Sequence, residues 1–259
     1  MKTVYWDAVG RAQQHSYSNQ LWRAYSDAVN TAFFARWLPE RQVDCLLKTD
    51  LFDEALSDGL YPYLACRARS VVGIDLSMAT VQAAGSRYAE LRAIAADVRC
   101  LPFADNKFDM IISNSTLDHF ESRGEILVSL RELNRVLRSG GKLFLTLDNL
   151  ANPIVALRNV LPFRLLNRMG LVPYYVGQTV GPRGLLRVLR QAGFDTQDVV
   201  ALMHSPRVIA VAMARLFEKY AATETQRRFL RFMLGFEHLS RWSTRFVTGY
   251  YVAARADKR

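Results

Sequence analysis

The chain has 259 residues, half of them apolar and 22% charged. That suffices for one sizeable α/β core and excludes a disordered or fibrous chain. No apolar run approaches the roughly 20 residues of a membrane-spanning helix, and the opening MKTVYWDAVGRAQQHSYSNQ has no signal-peptide core, so a cytoplasmic location is expected. Cys45, Cys66 and Cys100 show no CxxC or Cys/His spacing, which argues for structural thiols and against a disulfide framework or a metal site.

The net charge of +10 is unevenly placed. Residues 1–150 carry 17 Lys+Arg against 18 Asp+Glu, whereas residues 151–259 carry 17 against 6. A basic half can attract nucleic acid, anionic lipid or an acidic substrate, or simply form a solvated face or an oligomer contact. Its arginines are spread along helical segments and form no run, so no nucleic-acid partner is expected. A membrane surface is allowed but not favoured, and a homodimer through the lid helices is one arrangement open to the chain.

In chain order, residues 15–38 carry Leu21, Trp22, Tyr25, Val29, Phe33 and Trp37 at helical spacing, stopped by Pro39. Strand and helix then alternate: a strand over 43–48, a helix over 59–67, and SVVGID (70–75) as a second strand. A helix over 77–87 follows, with Ser77 as N-cap. Strands at 91–96 and 108–113 precede a helix over 123–137, which Ser139-Gly140-Gly141 should close, and KLFLTL (142–147) is a fifth strand. Beyond 150 the pattern predicts helix over 151–168 broken at Pro162, a loop or strand pair over 170–181, and a helix over 182–192. A sixth strand over 194–204, helix through most of 206–239 with Val208, Val211, Ala212, Leu216 and Tyr220 as its apolar stripe, and a last strand over 245–253 complete the reading. This is an α/β chain with a Rossmann-like, doubly wound, mostly parallel seven-stranded sheet. It reads as a single domain: a helical cap (1–40), a cofactor-binding core (41–150), and substrate-cover insertions with the last strands (151–259).

Ligands on such sheets bind outside the carboxyl ends of the strands. Asp75 ends the second strand, with Leu76 beside it, where a carboxylate can accept both hydroxyls of an adenosine ribose. Asp97 follows the third strand and can accept an adenine amino group, while Val98 offers a backbone N–H and an apolar wall.

The segments VVGIDLSMATVQAA, AADVRCLPFADNKFDMIISNSTLDHF and ILVSLRELNRVLRSGGKLFLTLDN, in this order and spacing, resemble a class I S-adenosylmethionine-dependent methyltransferase of the type 11 group. The resemblance covers about residues 40–150 and implies S-adenosyl-L-methionine as cofactor. It breaks at the first strand's turn, LLKTDLFDEALSDG, where the family's acid and GxGxG loop are replaced by Lys48, Asp50, Phe52 and Glu54. Side chains can stand in for the missing backbone approach. Asp50 or Glu54 can accept from the cofactor's ammonium, Thr49 can donate to its carboxylate, and the acids of this turn need a cation to face.

Methyl transfer is an in-line displacement in which positioning does most of the work, and a base is needed only if the acceptor must lose a proton. Asp118 and His119, past the fourth strand, are the candidates for that base. Asp148 and Asn149 either touch substrate or cap the next helix; His15, His204 and His238 are expected to be structural. Ser113-Asn114-Ser115-Thr116 stands where enzymes acting on base amines carry Asn/Asp-Pro-Pro-aromatic, so Asn114 is read as a cofactor contact instead. A cover rich in Trp22, Phe33, Phe34, Trp37, Phe163, Tyr174, Tyr175, Met203, Met213 and Phe217, with scattered arginines, fits a hydrophobic or aromatic small molecule, including one bearing a carboxylate or phosphate. The alternatives are a binding protein that kept the fold and lost catalysis, and a methyltransferase that uses its basic half on RNA or a membrane surface.

Overall fold

The computed structural model describes residues 2–14, 19–169, 172 and 174–259; His15 lies outside them. Helices α1 (Lys2–Gln14) and α2 (Gln20–Trp37) precede β1 (Val43–Lys48), α3 (Phe52–Leu56), α4 (Tyr61–Ala65), β2 (Ala68–Asp75), α5 (Met78–Arg87) and β3 (Arg92–Ala95). Then come β4 (Phe108–Asn114), α6 (Arg123–Val136), β5 (Leu137–Asp148), α7 (Pro153–Val160), α8 (Phe163–Arg168), α9 (Pro182–Gln191) and β6 (Phe194–Leu202). The chain closes with α10 (Arg207–Tyr220), α11 (Thr223–Gly235), α12 (Arg245–Thr248) and β7 (Tyr251–Lys258).

The seven strands form one sheet in the order β3-β2-β1-β4-β5-β7-β6. Strands β1 to β5 run parallel, and β7 inserts antiparallel between β5 and β6. Successive residues alternate between two cores, as the period of two in a strand demands. Leu46, Met110, Ile112 and Phe144 pack against α2 and its neighbours, while Leu47, Ile111, Leu143 and Leu145 pack against α6 and α9. Sequence order reverses between β1 and β4, which sets the binding crevice at their carboxyl ends.

Local chemistry places the helices around that crevice. Ser77 caps α5 by accepting from Thr80 N–H (3.2 Å), and Ser122 with Glu125 forms a capping box on α6. The N-terminus of α2 is capped from afar: the Glu218 carboxylate on α10 accepts the Asn19 and Leu21 N–H groups at 3.0 and 2.5 Å. Asp7 on α1 accepts from the Ser77 hydroxyl at 2.8 Å, which docks α1 on the start of α5.

The structure corrects four sequence expectations. Ser139-Gly140-Gly141 does not close α6; the chain passes directly into β5 at Leu137, and these residues form the irregularity where β4–β5 register shifts. Gly141 is needed there because a Cβ would lie 2.8 Å from the Arg138 carbonyl. The helix expected over 59–67 is the shorter α4, and α3 is a further helix in the turn where the sequence reading placed none. The last strand begins at Tyr251, because 245–248 are helical. The stripe on α10 is not its core face: Ala210 and Ala214 are buried, whereas Leu216 and Tyr220 are exposed.

Gly177 clamps the segment after α8 onto the turn that carries His119. Its N–H donates to Asp118 O (2.7 Å), and a Cβ would sit 1.9 Å from Phe120 O. Gly177→Ala is therefore expected to cost about 1–3 kcal/mol by overpacking, measured by thermal unfolding; an unchanged melting temperature would show that this clamp is absent.

Candidate active site

A cavity of about 660 Å³ opens at the carboxyl ends of β1 to β5. Thr49, Asp75, Ala96, Asn114 and Thr146 form its floor. Its roof comes from α1 (Trp6, Val9), α2 (Trp22, Arg23, Asp27), α7 (Leu157, Arg158), α8 (Leu166) and α10 (Arg207, Val211), with Tyr174, Tyr250 and Tyr251.

The turn after β1 is built on a buried ion pair. Lys48, 1% exposed, sends its ammonium to Asp50 O (2.5 Å), Asp50 Oδ2 (3.3 Å) and Glu54 Oε2 (2.8 Å). Burial alone would discharge this lysine, but Asp50, Glu54 and Asp53 outweigh it and hold its pKa above the ordinary value. Glu54 Oε1 takes the Leu60 and Tyr61 N–H groups at 2.9 and 3.2 Å. Gly59, at φ +58, lets the chain wrap that carboxylate, since a Cβ would lie 2.7 Å from Oε1. A second glycine serves the turn from the next strand. Gly73, paired with Lys48 in register, leaves the space that Leu51 fills; a Cβ there would lie 2.4 Å from Leu51 Cδ2.

Asp50, Phe52 and Asp53 face the cavity. Asp50 Oδ1 accepts from Phe52 N–H at 2.8 Å, and Arg23 pairs with Asp53 at 3.4 Å. Thr49 Oγ1 lies 2.9 Å from Ser113 Oγ and 2.8 Å from Thr116 Oγ1, forming a hydroxyl row over β1 and β4. Asp75 takes one backbone N–H on each oxygen, from Leu51 (3.1 Å) and Ser77 (2.8 Å). Each oxygen keeps further lone-pair capacity toward the cavity. Burial, and then Asp50 nearby, pushes Asp75 up to about 6. The same two causes push Asp53 up to about 7, and burial pushes Asp27 up to about 6. The site is thus a crowd of acids short of cations.

At the third strand, Leu76 and Val98 line the cavity, and the Asp97 carboxylate is gripped by Arg99 through Nε at 2.9 Å to Oδ1. Asn114 Oδ1 accepts from Thr146 Oγ1 at 2.7 Å.

Past β4, His119 forms part of the cavity wall, in edge contact with Trp6 (5.0 Å) and Tyr174 (5.7 Å). Its Nδ1 lies 3.0 Å from Tyr175 O, which requires Nδ1–H to donate. Its Nε2 lies 3.9 Å from Asp118 Oδ1. Asp118 itself is fully buried and absent from the cavity wall. Its Oδ2 accepts from Ser115 Oγ (3.0 Å) and Asp148 N (2.9 Å), and burial followed by the Asp148 charge raises its pKa.

Residues 56–145 match the family of the methyltransferase domain, a match that starts after Lys48, Asp50, Phe52 and Glu54 of the divergent turn. Among relatives, a probable S-adenosylmethionine-dependent methyltransferase of Mycobacterium tuberculosis is 26% identical over 145 residues, 56% of this chain and 48% of the relative. A malonyl-acyl-carrier-protein O-methyltransferase of Pseudescherichia vulneris is 36% identical over 76 residues, 29% of each chain. Over residues 56–145, about a third of its length, the chain is similar to S-adenosylmethionine-dependent methyltransferases. It spans about half the length of the first of those relatives. Among solved structures, the geranyl diphosphate C-methyltransferase of Streptomyces coelicolor A3(2) is similar at a TM-score of 0.61, with 16% identity and coverage of 96% of this chain and 86% of that one. The (4+2)-cyclase SpnF is similar at 0.59, with 18% identity and coverage of 88% and 79%. At such identities the likeness is one of fold.

Of the residues singled out in the sequence, Thr49, Asp50, Phe52, Asp75, Leu76, Asp97, Val98, Asn114 and His119 meet in one cavity. Two residues do not. Glu54 is spent on Lys48 and two backbone N–H groups, and Asp118 lies beneath the wall, so neither reaches a ligand as expected. Asn149 is structural: its side-chain amide donates to Phe246 O and Gly249 O. Asn152 is the cap of α7. Of the expected cover, Phe33 and Phe34 belong to the core, while Trp22, Tyr174 and Met203 line the cavity. Sequence reasoning missed Trp6, Asp27, Arg158, Arg207, Tyr250 and Tyr251. Only the tyrosines left a signal: an antiparallel last strand brings its first residues to the edge where the parallel strands end.

Glu54→Ala removes one partner of a buried pair, at an expected cost of about 3–5 kcal/mol. Denaturant unfolding measures it, and a loss below about 1 kcal/mol would remove the ion pair from this account. The raised acids set a pH dependence. Asp27, Asp53 and Asp75 bind protons more tightly folded than unfolded, so stability falls as pH rises from about 4 toward 7. A bound cation reverses the slope by favouring the ionised acids. The ligand-free melting temperature should therefore drop between pH 5 and 7.5 (roughly the window those shifts define), and S-adenosylhomocysteine, which carries an ammonium, should offset the drop. Parallel profiles with and without it would contradict this electrostatic reading.

Proposed function

We propose that this chain transfers a methyl group from S-adenosylmethionine to a hydrophobic or aromatic small molecule. One observation carries the reading: a floor of strand-end acids and an apolar, aromatic roof enclose a single cavity. The floor suits the cofactor. Asp75 has oxygens placed for ribose hydroxyls, Thr49 offers a hydroxyl, and Asp50 with Asp53 supplies negative charge for an ammonium or sulfonium. Leu76 and Val98 give the adenine end apolar walls, with Asp97 and Asn114 as its polar neighbours. The cofactor, when bound, supplies an activated methyl on sulfur.

The chain's own contribution is then to hold the acceptor in line and keep water out. Positioning is favoured over proton removal, because Asp118 is walled off and His119 is fixed in the wall by its Nδ1 contact with Tyr175 O. The roof residues Trp6, Trp22, Leu157 and Val211 fit an apolar acceptor body. Among the described residues no helix is long and apolar enough to cross a membrane, and no cluster fit for a metal ion exists.

The glycine-poor turn favours one competing reading, a fold that binds without catalysis. Titration calorimetry separates the possibilities. S-adenosylmethionine is expected to bind with a dissociation constant of about 1 μM to 1 mM, and Asp75→Asn should weaken it about tenfold or more. Absence of heat at millimolar cofactor overturns the proposal; binding with no methylated product from any apolar acceptor supports the silent protein.

A further inference from the structure

The cavity contains a second polar set, apart from the strand-end acids assigned above to the cofactor. Arg207, the first residue of α10, lines it. The guanidinium carbon lies 4.5 Å from the Tyr250 ring centroid, 5.6 Å from that of Trp22 and 5.9 Å from that of Tyr251. Its Nη1 donates to Tyr251 Oη at 2.8 Å. Among the described residues no carboxylate comes within ion-pair distance of Arg207. The other arginines around the cavity differ. Arg158 pairs with Asp148 at 2.8 Å, Arg23 pairs with Asp53, and Arg215 is exposed and donates to Asn19 Oδ1 at 2.7 Å. Arg207 is therefore an enclosed cation ringed by aromatics, with no carboxylate in ion-pair contact; Asp148 acts on it from farther off and is itself paired with Arg158. Enclosed charges are costly unless paired, and aromatic faces offset only part of that cost.

Two phenols complete the arrangement. Tyr251 Oη accepts from Arg207, and Tyr250 Oη accepts from Arg158 Nη1 at 2.8 Å. A phenol that accepts keeps its own proton to give, and no acceptor among the described residues takes either proton. Burial holds both tyrosines above their ordinary pKa, so they remain donors at neutral pH.

We propose that the methyl acceptor carries a carboxylate, received by the Arg207 guanidinium and the phenol hydroxyls of Tyr250 and Tyr251. This rests on the reading of the cavity as an acceptor site and narrows the substrate to an apolar or aromatic acid. A single negative charge is favoured over a phosphate or diphosphate because one enclosed guanidinium is uncompensated: Asp148 neutralises Arg158. The planar fork of an arginine also matches a carboxylate in two-point geometry.

The test uses the full chain and three probes of one shape, 2-naphthoate, 2-naphthamide and 2-naphthyl phosphate, titrated with and without saturating S-adenosylhomocysteine. Naphthoate is expected to bind about tenfold or more tightly than the amide. Arg207→Gln should abolish that preference, Arg207→Lys should retain part of it, and Tyr251→Phe should reduce it. The affinity for S-adenosylhomocysteine, measured on each variant, reports folding and tests the cofactor reading separately. Loss of cofactor binding in the unmodified chain would sink that reading and leave the acid preference still measurable. Equal binding of acid and amide, no binding of any probe, or a preference that survives Arg207→Gln overturns the proposal. Phosphate binding tenfold above naphthoate overturns the choice of a carboxylate.

Discussion

The Lys48–Glu54 ion pair is the interaction on which the cofactor side of the cavity depends. An ammonium at the end of the central strand, 1% exposed, would not survive burial without its two carboxylates. By pairing, it draws Glu54 inward, turns the chain into α3, and requires Gly59 in the left-handed region to close around Oε1. The turn that results is held by side chains where a glycine loop would be held by its own backbone. Its glycines have moved to where the close approaches now occur, at Gly59 beneath Glu54 and at Gly73 beneath Leu51.

The rest of the polar architecture follows from charge balance. Lys48 compensates Glu54 and part of Asp50, which leaves Asp27, Asp53 and Asp75 with raised pKa values around an opening that a cation would fill. Arg207 is the complementary imbalance, a cation with rings for neighbours and, among the described residues, no acid in ion-pair contact. One enclosure thus has an unmet demand for positive charge and an unmet demand for negative charge. That is the pattern expected of a site for two ligands of opposite sign. The Asp118–Asp148 pair beneath the wall is different in kind, being buried and structural, and it supports β5 and the His119 turn from below while Asp148 pairs with Arg158 of the roof.

Much of this was legible in the chain itself. The alternation of apolar strands and helices gave seven strands, and the acids after β2 and β3 lie at cavity positions because strand ends are where a parallel sheet leaves its crevice. Ser77 was readable as a cap because its chemistry is local. Glu54 was misread because its partner, Lys48, looked like a lone base among acids, and six residues of sequence do not reveal that the two side chains meet in the interior. Asp118 was misread because neighbours in a turn point to opposite sides of its wall. Gly140-Gly141 was misread because a glycine pair that ends a helix and one that permits a bulge look alike until strand pairing is known.

By itself the sequence determined the fold class, the order of the strand-end acids and the break at the first turn, since each depends on periodicity or on residues close along the chain. Tertiary structure decided how that turn is held, which of its acids face a ligand, and that Arg207 stands beside Tyr250 and Tyr251. Those outcomes depend on burial, as for Lys48 and Glu54 only six residues apart, and on distant pairings, as between Arg207 and Tyr251 with a separation of 44, and a linear pattern carries no information about which charge will be left without a partner.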